Sequence, residues 1–443
     1  MKLTRKLWGT MSLIVVVLIG AVGCSWMPNL PLAPVRSTPP APVTPDSPAA
    51  TPTPTPTPTP PPSLQGMTLQ LWVPELLSPY EDSDLSEVFA AQLAAFTNGY
   101  TYEDISVNTT VKRGIGTGGL YHLLSTASEV APSILPDLIV LNQHDLLLAA
   151  ADGLLQPLDA ELDANADYYT ATLASLSDSA GLWAFPYLAR VDQMAYREGI
   201  TDTAPLTWSG VLSGSYSLLF PAASPEGLAS DTLLQIYLGS GGRVMDQTGQ
   251  ASLDRSSLER TYAFFVDLQQ NGLLDSERTL MILNAAASWA AYQEGFGDLS
   301  AVPFGQFWTE APEDALPAWA PTEEGLPITL FHTWGIAVVT QDPSRRESVL
   351  MLARWLVSAN HMAEVAQASE LAPTRRSALE AWGLVSDDLV FADTLLSHGV
   401  AALPPAIDIP VRRALQAGLV ALLQQEADTP ELAASTALMV LRR

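Results

Sequence analysis

Residues 67–73 read M-T-L-Q-L-W-V, an alternation of apolar and polar side chains that predicts a β-strand, and Pro74 ends it. The period then changes. Leu85, Val88, Phe89, Leu93 and Phe96 recur at three and four residues, which predicts a helix over 85–96. Ile105, Val107, Thr109 and Val111 restore the alternation of a second strand. Residues 120–128 read as a helix, and D-L-I-V-L at 137–141 is apolar enough for a strand buried on both faces. Strand, helix, strand, helix, strand is the rhythm of a parallel sheet with right-handed crossovers.

Working outward toward the C-terminus, the same grammar continues. Strands are expected at 217–220 and around 281–283, and helices at 230–238, 256–270 and 285–294. A strand at 336–340 precedes a strong helix over 345–358, and 411–443 is helical with a break at Thr429-Pro430. No short-period repeat is present, which excludes a solenoid or a propeller. An α/β body of about 375 residues with this rhythm is expected to form two lobes.

Toward the N-terminus the chain stops reading as a fold. Lys2, Arg5 and Lys6 precede an apolar run, Met11 to Ile19, and Ala21-Val22-Gly23-Cys24 follows. The run is too short to span a bilayer comfortably. The four residues resemble a bacterial lipobox, with Ala21 where Leu is more usual, so 1–23 is expected to be a signal peptide and Cys24 a lipidated N-terminus. The other reading is an uncleaved anchor, and both place the body outside the cytoplasm on a membrane. From Pro28 to Gly66 there are 15 prolines, with strict Thr-Pro alternation over 51–60. Such a stretch favours extended polyproline II, so 24–66 is expected to be a tether reaching up to about 120 Å.

Composition narrows the function. The 443 residues hold 47 acidic against 21 basic side chains, a formal charge of −26. That field repels phosphate backbones, so nucleic acid is an improbable partner. Cys24 is the one cysteine, which rules out an intramolecular disulfide and a thiolate metal cluster. None of the five histidines has the helical spacing of a metal site, and no G-x-S-x-G elbow occurs. No metal, cofactor or catalytic residue is expected. A facing pair of carboxylates can never be excluded among 47 acids, which keeps an extracellular carbohydrate-active enzyme as a minor alternative.

Five segments in order resemble family 1 extracellular solute-binding proteins, the maltose-binding-like group. Pro136 to Leu158 carries a buried strand, a loop and a helix leading to G-L-L-Q-P-L. Gly181 to Arg197 carries an aromatic-Pro step, Phe185-Pro186-Tyr187, and then Tyr196. Thr207-Trp208 matches a helix start, Thr333 to Ser358 a strand W-G-I-A-V-V and the helix bearing R-W-L-V-S, and Leu371 to Arg375 a short L-A-P-T-R stretch. The resemblance implies a two-lobed periplasmic-binding-protein-like fold of type II, with the ligand in the cleft and hinge closure on binding. It places lobe 1 at 67–187 plus 331–380, and lobe 2 at 188–330 plus 381–443. It also implies capture of a small solute, expected to be a carbohydrate, by a lipid-anchored monomer. Delivery to the permease subunits of an ABC importer would take place on the outer face of the cell membrane or in the periplasm. A polyamine, an amino acid or another non-sugar solute is the alternative.

Sugars are held by flat apolar faces and planar polar groups, and the chain offers 11 Trp and 12 Tyr. Trp72, at the end of the first strand, is a stacking candidate or a packing residue, and Glu75 follows in its loop. Arg113 opens a glycine-rich run, R-G-I-G-T-G-G-L, that lacks the ending of a phosphate loop. Asn142 and Gln143 are hydrogen-bonding candidates, with Asp145 expected as the cap of the next helix. Tyr187 and Arg190 flank the crossover and serve either the cleft or the hinge. Trp289 and Trp334 are stacking candidates in the second half, while Trp308 and Trp319 form a flap or pack a lobe.

Overall fold

Two sheets share the chain between them. The computed structural model describes residues 66–99, 105–162, 167–199 and 204–443, all within the unit Pro61–Arg443. The expected signal peptide, Cys24 and nearly all of the tether lie outside the described residues.

The first sheet runs, in spatial order, Ala372–Pro373, Phe185–Arg190, Thr329–Val338, Leu138–Asn142, Met67–Pro74 and Ile105–Lys112, with Gly399–Ala401 paired beside the third. Met67–Pro74 is parallel to Ile105–Lys112 and to Leu138–Asn142, as the sequence rhythm requires. Thr329–Val338 returns antiparallel to both Leu138–Asn142 and Phe185–Arg190, so the sheet is mixed. Side chains of a strand alternate between faces. Leu69, Leu71 and Val73 therefore enter one core with Phe89 and Phe96 of the helix Asp84–Asn98, while Trp72 enters another with Leu120 and Leu124. The helix Asp84–Asn98 starts where the Ser83 side chain accepts a hydrogen bond from the Ser86 amide.

The second sheet has the order Ala315–Ala318, Asp192–Arg197, Leu299–Pro303 and Leu218–Leu219. Its helices Asp231–Gly239, Arg255–Gln270, Pro405–Leu423 and Pro430–Leu441 bury Leu233, Ile236, Tyr262, Phe265, Leu415 and Leu419 in one core. Only Val191 separates the last strand residue of the first sheet, Arg190, from the first of the second, Asp192. The protein is thus a mixed α/β fold of two lobes.

Two expectations need correction. Residues 281–283 are not a strand, because Asp275 caps the Arg278 amide and starts a short helix, Ser276–Met281. The stretch 381–443 does not join one core as a whole. Trp382 and Ala392, Leu395 and Leu396 of the helix Ser386–Ser397 pack with the first core, and only from Pro405 onward does the chain join the second. The apolar residues of Ser386–Ser397 are contiguous with Trp382, which already sits against Phe304.

Candidate functional site

The strand Thr329–Val338 is buried at eight of its ten positions, and the two partly exposed side chains are His332 and Trp334. Residues two apart in a strand share a face, so both look the same way. The register with Phe185–Arg190 slips between Trp334 and Gly335, a bulge of the kind that re-aims side chains. The Trp334 ring then lies over Gly114 and Pro74, where the two parallel strands Met67–Pro74 and Ile105–Lys112 end. A Cβ at Gly114 would come within 3.1 Å of the ring and 3.2 Å of the Pro74 Cβ. The glycine is what lets the loop approach.

Beside His332 opens a cavity of about 560 Å³, lined among others by Arg190, Asp192, Ser224, Glu226, Asp231, Asn284, Asp408 and Arg412. No aromatic ring other than the His332 imidazole is among its lining residues. Two helices begin at its wall, Asp231–Gly239 capped by Ser230 and Ala285–Gln293 capped by Asn284. Asp231, the first residue of its helix, sits where the helix dipole favours a negative charge.

Asp231 is the centre of the charge network. Its carboxylate lies 2.9 Å from His332 Nε2, 2.7 Å from Arg412 Nη2 and 3.5 Å from Arg190 Nη2, and its side chain is 2% exposed. Arg412 also donates from Nε to Asp408 at 2.7 Å and from Nη1 to the Ala229 carbonyl at 2.9 Å. Burial by itself would push the Asp231 carboxyl up, but His332, Arg412 and Arg190 outweigh it and hold the group well below the usual carboxylate range. Asp192 shows the opposite balance. Burial and the neighbouring Asp231 charge push its carboxyl up to about 6, against the pull of Arg190, His332 and Arg412.

The residues singled out from sequence fall into three groups. Arg190 lines the cavity and Trp334 shares the His332 face, while Glu75 and Arg113 are exposed, next in sequence to Pro74 and Gly114. A second group builds the frame. The Asn142 side chain accepts from the His144 and Asp145 amides, so Asn142 rather than Asp145 caps the helix Gln143–Ala151. Gln143 donates to the Ala402 carbonyl and accepts from the Thr333 amide, tying the crossover strand to the segment after Gly399–Ala401. The third group is core. Tyr187 and Trp289 are fully buried, the latter stacked on Tyr292 with centroids 5.0 Å apart, and Trp72 is 7% exposed. These rings fill space between helices and sheet, where large apolar area is best removed from water. Trp308 and Trp319 likewise pack, both against Phe391.

Sequence reasoning missed Asp192, Asp231, His332 and Arg412. His332 was within reach, since it precedes Trp334 by two in an alternating strand. Asp231 and Arg412 meet only through folding, from 181 positions apart, and carry no local signal.

The chain folds as a two-lobed α/β protein with a cavity at its crossover segments. It belongs to the bacterial extracellular solute-binding protein family, whose model matches residues 110–392. No curated protein matches the chain in sequence. Among solved structures it is similar to a cyclic α-maltosyl-1,6-maltose binding protein from Arthrobacter globiformis (15% identity, TM-score 0.65, covering 85% of this chain and 99% of that one). It is similar also to maltose-bound MalE3 of T. maritima (18%, 0.63, 85% and 99%) and to the sugar-binding protein MalE of Xanthomonas citri (16%, 0.64, 85% and 97%). At these identities the likeness is one of fold.

Proposed function

We propose that this protein captures a sugar or oligosaccharide outside the cytoplasm and delivers it to the permease subunits of an ABC importer, held to the membrane by a lipid on Cys24. The observation that carries the reading is the cavity of about 560 Å³ at the crossovers, into whose wall several polar side chains are set. Its size suits a small solute, and it is bounded by segments of both sheets. Such clefts are where ligands bind in two-lobed α/β proteins. Asp192, Asp231, Ser224 and Asn284 supply the polar groups that hydroxyls need, and Trp334 supplies an apolar ring close by on the same strand as His332. Arg190, Trp334, Glu75 and Arg113 are the residues expected to reach the solute. The sugars named for the similar structures support the choice of ligand class. In this reading the lobes close about Arg190–Asp192 and the strand Thr329–Val338 as the solute enters.

A thermal-shift screen of the full chain in detergent, against sugars, polyols, polyamines and amino acids, tests it. A solute at about 1,000 times its Kd adds roughly 4 kcal/mol to stability. A rise in Tm with one sugar class is the expected result. A rise only with amino acids, and none with any sugar, overturns the ligand assignment.

A further inference from the structure

The charges of the cavity do not balance. Arg190, His332, Asp231, Arg412 and Asp408 form one connected network in which both carboxylates have an arginine partner. Asp192 and Glu226 stand outside it. Neither carboxylate has a hydrogen bond or an ion pair among the described residues, yet both line the cavity, Asp192 in its wall and Glu226 exposed. The helix N-termini at the wall do not neutralise them, for Ser230 and Asn284 accept from their own helices and Asp231 answers the first dipole. An unpaired, largely buried carboxylate is costly, and a cation brought into the cavity relieves that cost.

We infer that the solute bound in this cavity carries a protonated amine, which pairs with the Asp192 carboxylate while hydroxyl-bearing parts of the solute meet Ser224 and Asn284. The inference rests on the reading of this cavity as the solute site. A divalent metal is the less suitable cation, because among the described residues no three His, Cys, Asp or Glu side chains come together as ligands. The surrounding field favours the same sign, with 47 acidic side chains against 21 basic ones in the chain.

The groups facing Asp192 are Asp231 and Arg412 from their helices, Arg190 from the strand before it and His332 from the crossover strand. Arg412 and His332 are occupied by Asp231, as is Arg190 at longer range. Burial and the Asp231 charge push the Asp192 carboxyl up to about 6, so amine binding is expected to be strong above that pH and to weaken as the carboxylate takes up a proton below it.

Calorimetric titration of the full chain in detergent tests the inference, with glucosamine, glucose, N-acetylglucosamine and putrescine at pH 7.5 and pH 5. The expected result is at least tenfold tighter binding of an amine-bearing probe than of its neutral counterpart at pH 7.5. That preference shrinks several-fold at pH 5 and falls close to one in Asp192→Asn. Because Asp192→Asn is nearly isosteric and the pH comparison needs no mutation, a poorly folding variant leaves the test intact. Neutral sugars bound as tightly as amines, at both pH values, overturn the inference and leave the sugar-binding reading standing. Putrescine bound without any saccharide upholds the amine and overturns the sugar. Binding of none of the four at millimolar concentration overturns the inference.

Discussion

His332 Nε2 lies 2.9 Å from the Asp231 carboxylate, so the return strand of the first sheet and the first helical turn of the second lobe meet in one polar contact. The same carboxylate holds Arg412, which is almost fully buried. A single acidic side chain thus gathers the crossover, the Asp231–Gly239 helix and the Pro405–Leu423 helix around the cavity.

Replacing that carboxylate leaves the buried Arg412 guanidinium with Asp408 as its one acidic partner among the described residues and takes the acid from His332. Asp231→Ala is expected to cost about 3–5 kcal/mol, the usual penalty for breaking a buried pair. Urea unfolding monitored by circular dichroism measures it, and a loss below about 1 kcal/mol contradicts a buried Asp231–Arg412 pair.

Asp192 gives a pH signature of its own. Its folded carboxyl is raised above the unfolded value, so the native state holds a proton that the unfolded chain has released between about pH 4 and pH 6. Stability from this group is present at low pH and lost as pH rises through 6. Asp192→Asn, which removes the ionisation, is therefore expected to raise the Tm of the unliganded protein at pH 7.5 and to leave it nearly unchanged at about pH 3, below the unfolded pKa. Equal shifts at both values would sink the assignment.

The tryptophans separate by burial. Trp289→Ala removes a ring with no exposed surface and is expected to destabilise by about 3–5 kcal/mol. Trp334→Ala takes away a partly exposed ring and is expected to weaken solute binding about tenfold or more with little change in Tm. Paired melts and titrations distinguish the two, and a large loss of stability in Trp334→Ala would make it a core residue.

Gly305 marks the closest approach between its helix, Phe304–Glu310, and the backbone of Glu370. A Cβ there would overlap the Glu370 backbone, and Glu370 itself has φ of 56°. Backbone on that side cannot yield as a flexible side chain would. Gly305→Ala is expected to cost about 1–3 kcal/mol, the range for overpacking, read from the shift of the urea midpoint.

The proposed lipid on Cys24 is open to direct assay. Cys24→Ala is expected to abolish incorporation of labelled palmitate and to release the chain from the membrane fraction. Labelling that survives the substitution places the lipid elsewhere.

Much of the fold was legible because period is a local property. The alternation in 67–73 and the spacing of Leu85, Phe89, Leu93 and Phe96 each report a half-buried strand or helix wherever the element ends up. Family membership was legible for the same reason, as a succession of such segments. The helix cap was expected at Asp145 and falls on Asn142, because which residue after a strand caps the helix depends on where the chain turns next. Trp72, Tyr187 and Trp289 were drawn toward the cleft by chemistry alone, since a ring suited to stacking on sugar is equally suited to filling a core.

By itself the sequence determined the α/β class, the acidic field and the order of the elements, all of which are properties of neighbouring residues or of the sum. The tertiary structure alone decided which charges meet. Asp192, Asp231, His332, Asp408 and Arg412 come from four separate segments, and whether a carboxylate among them is paired or left open to a solute depends on distances of a few ångströms that no local pattern encodes. Electrostatic energy in a partly dry cavity varies steeply over such distances, so the binding chemistry is set by folding rather than by composition.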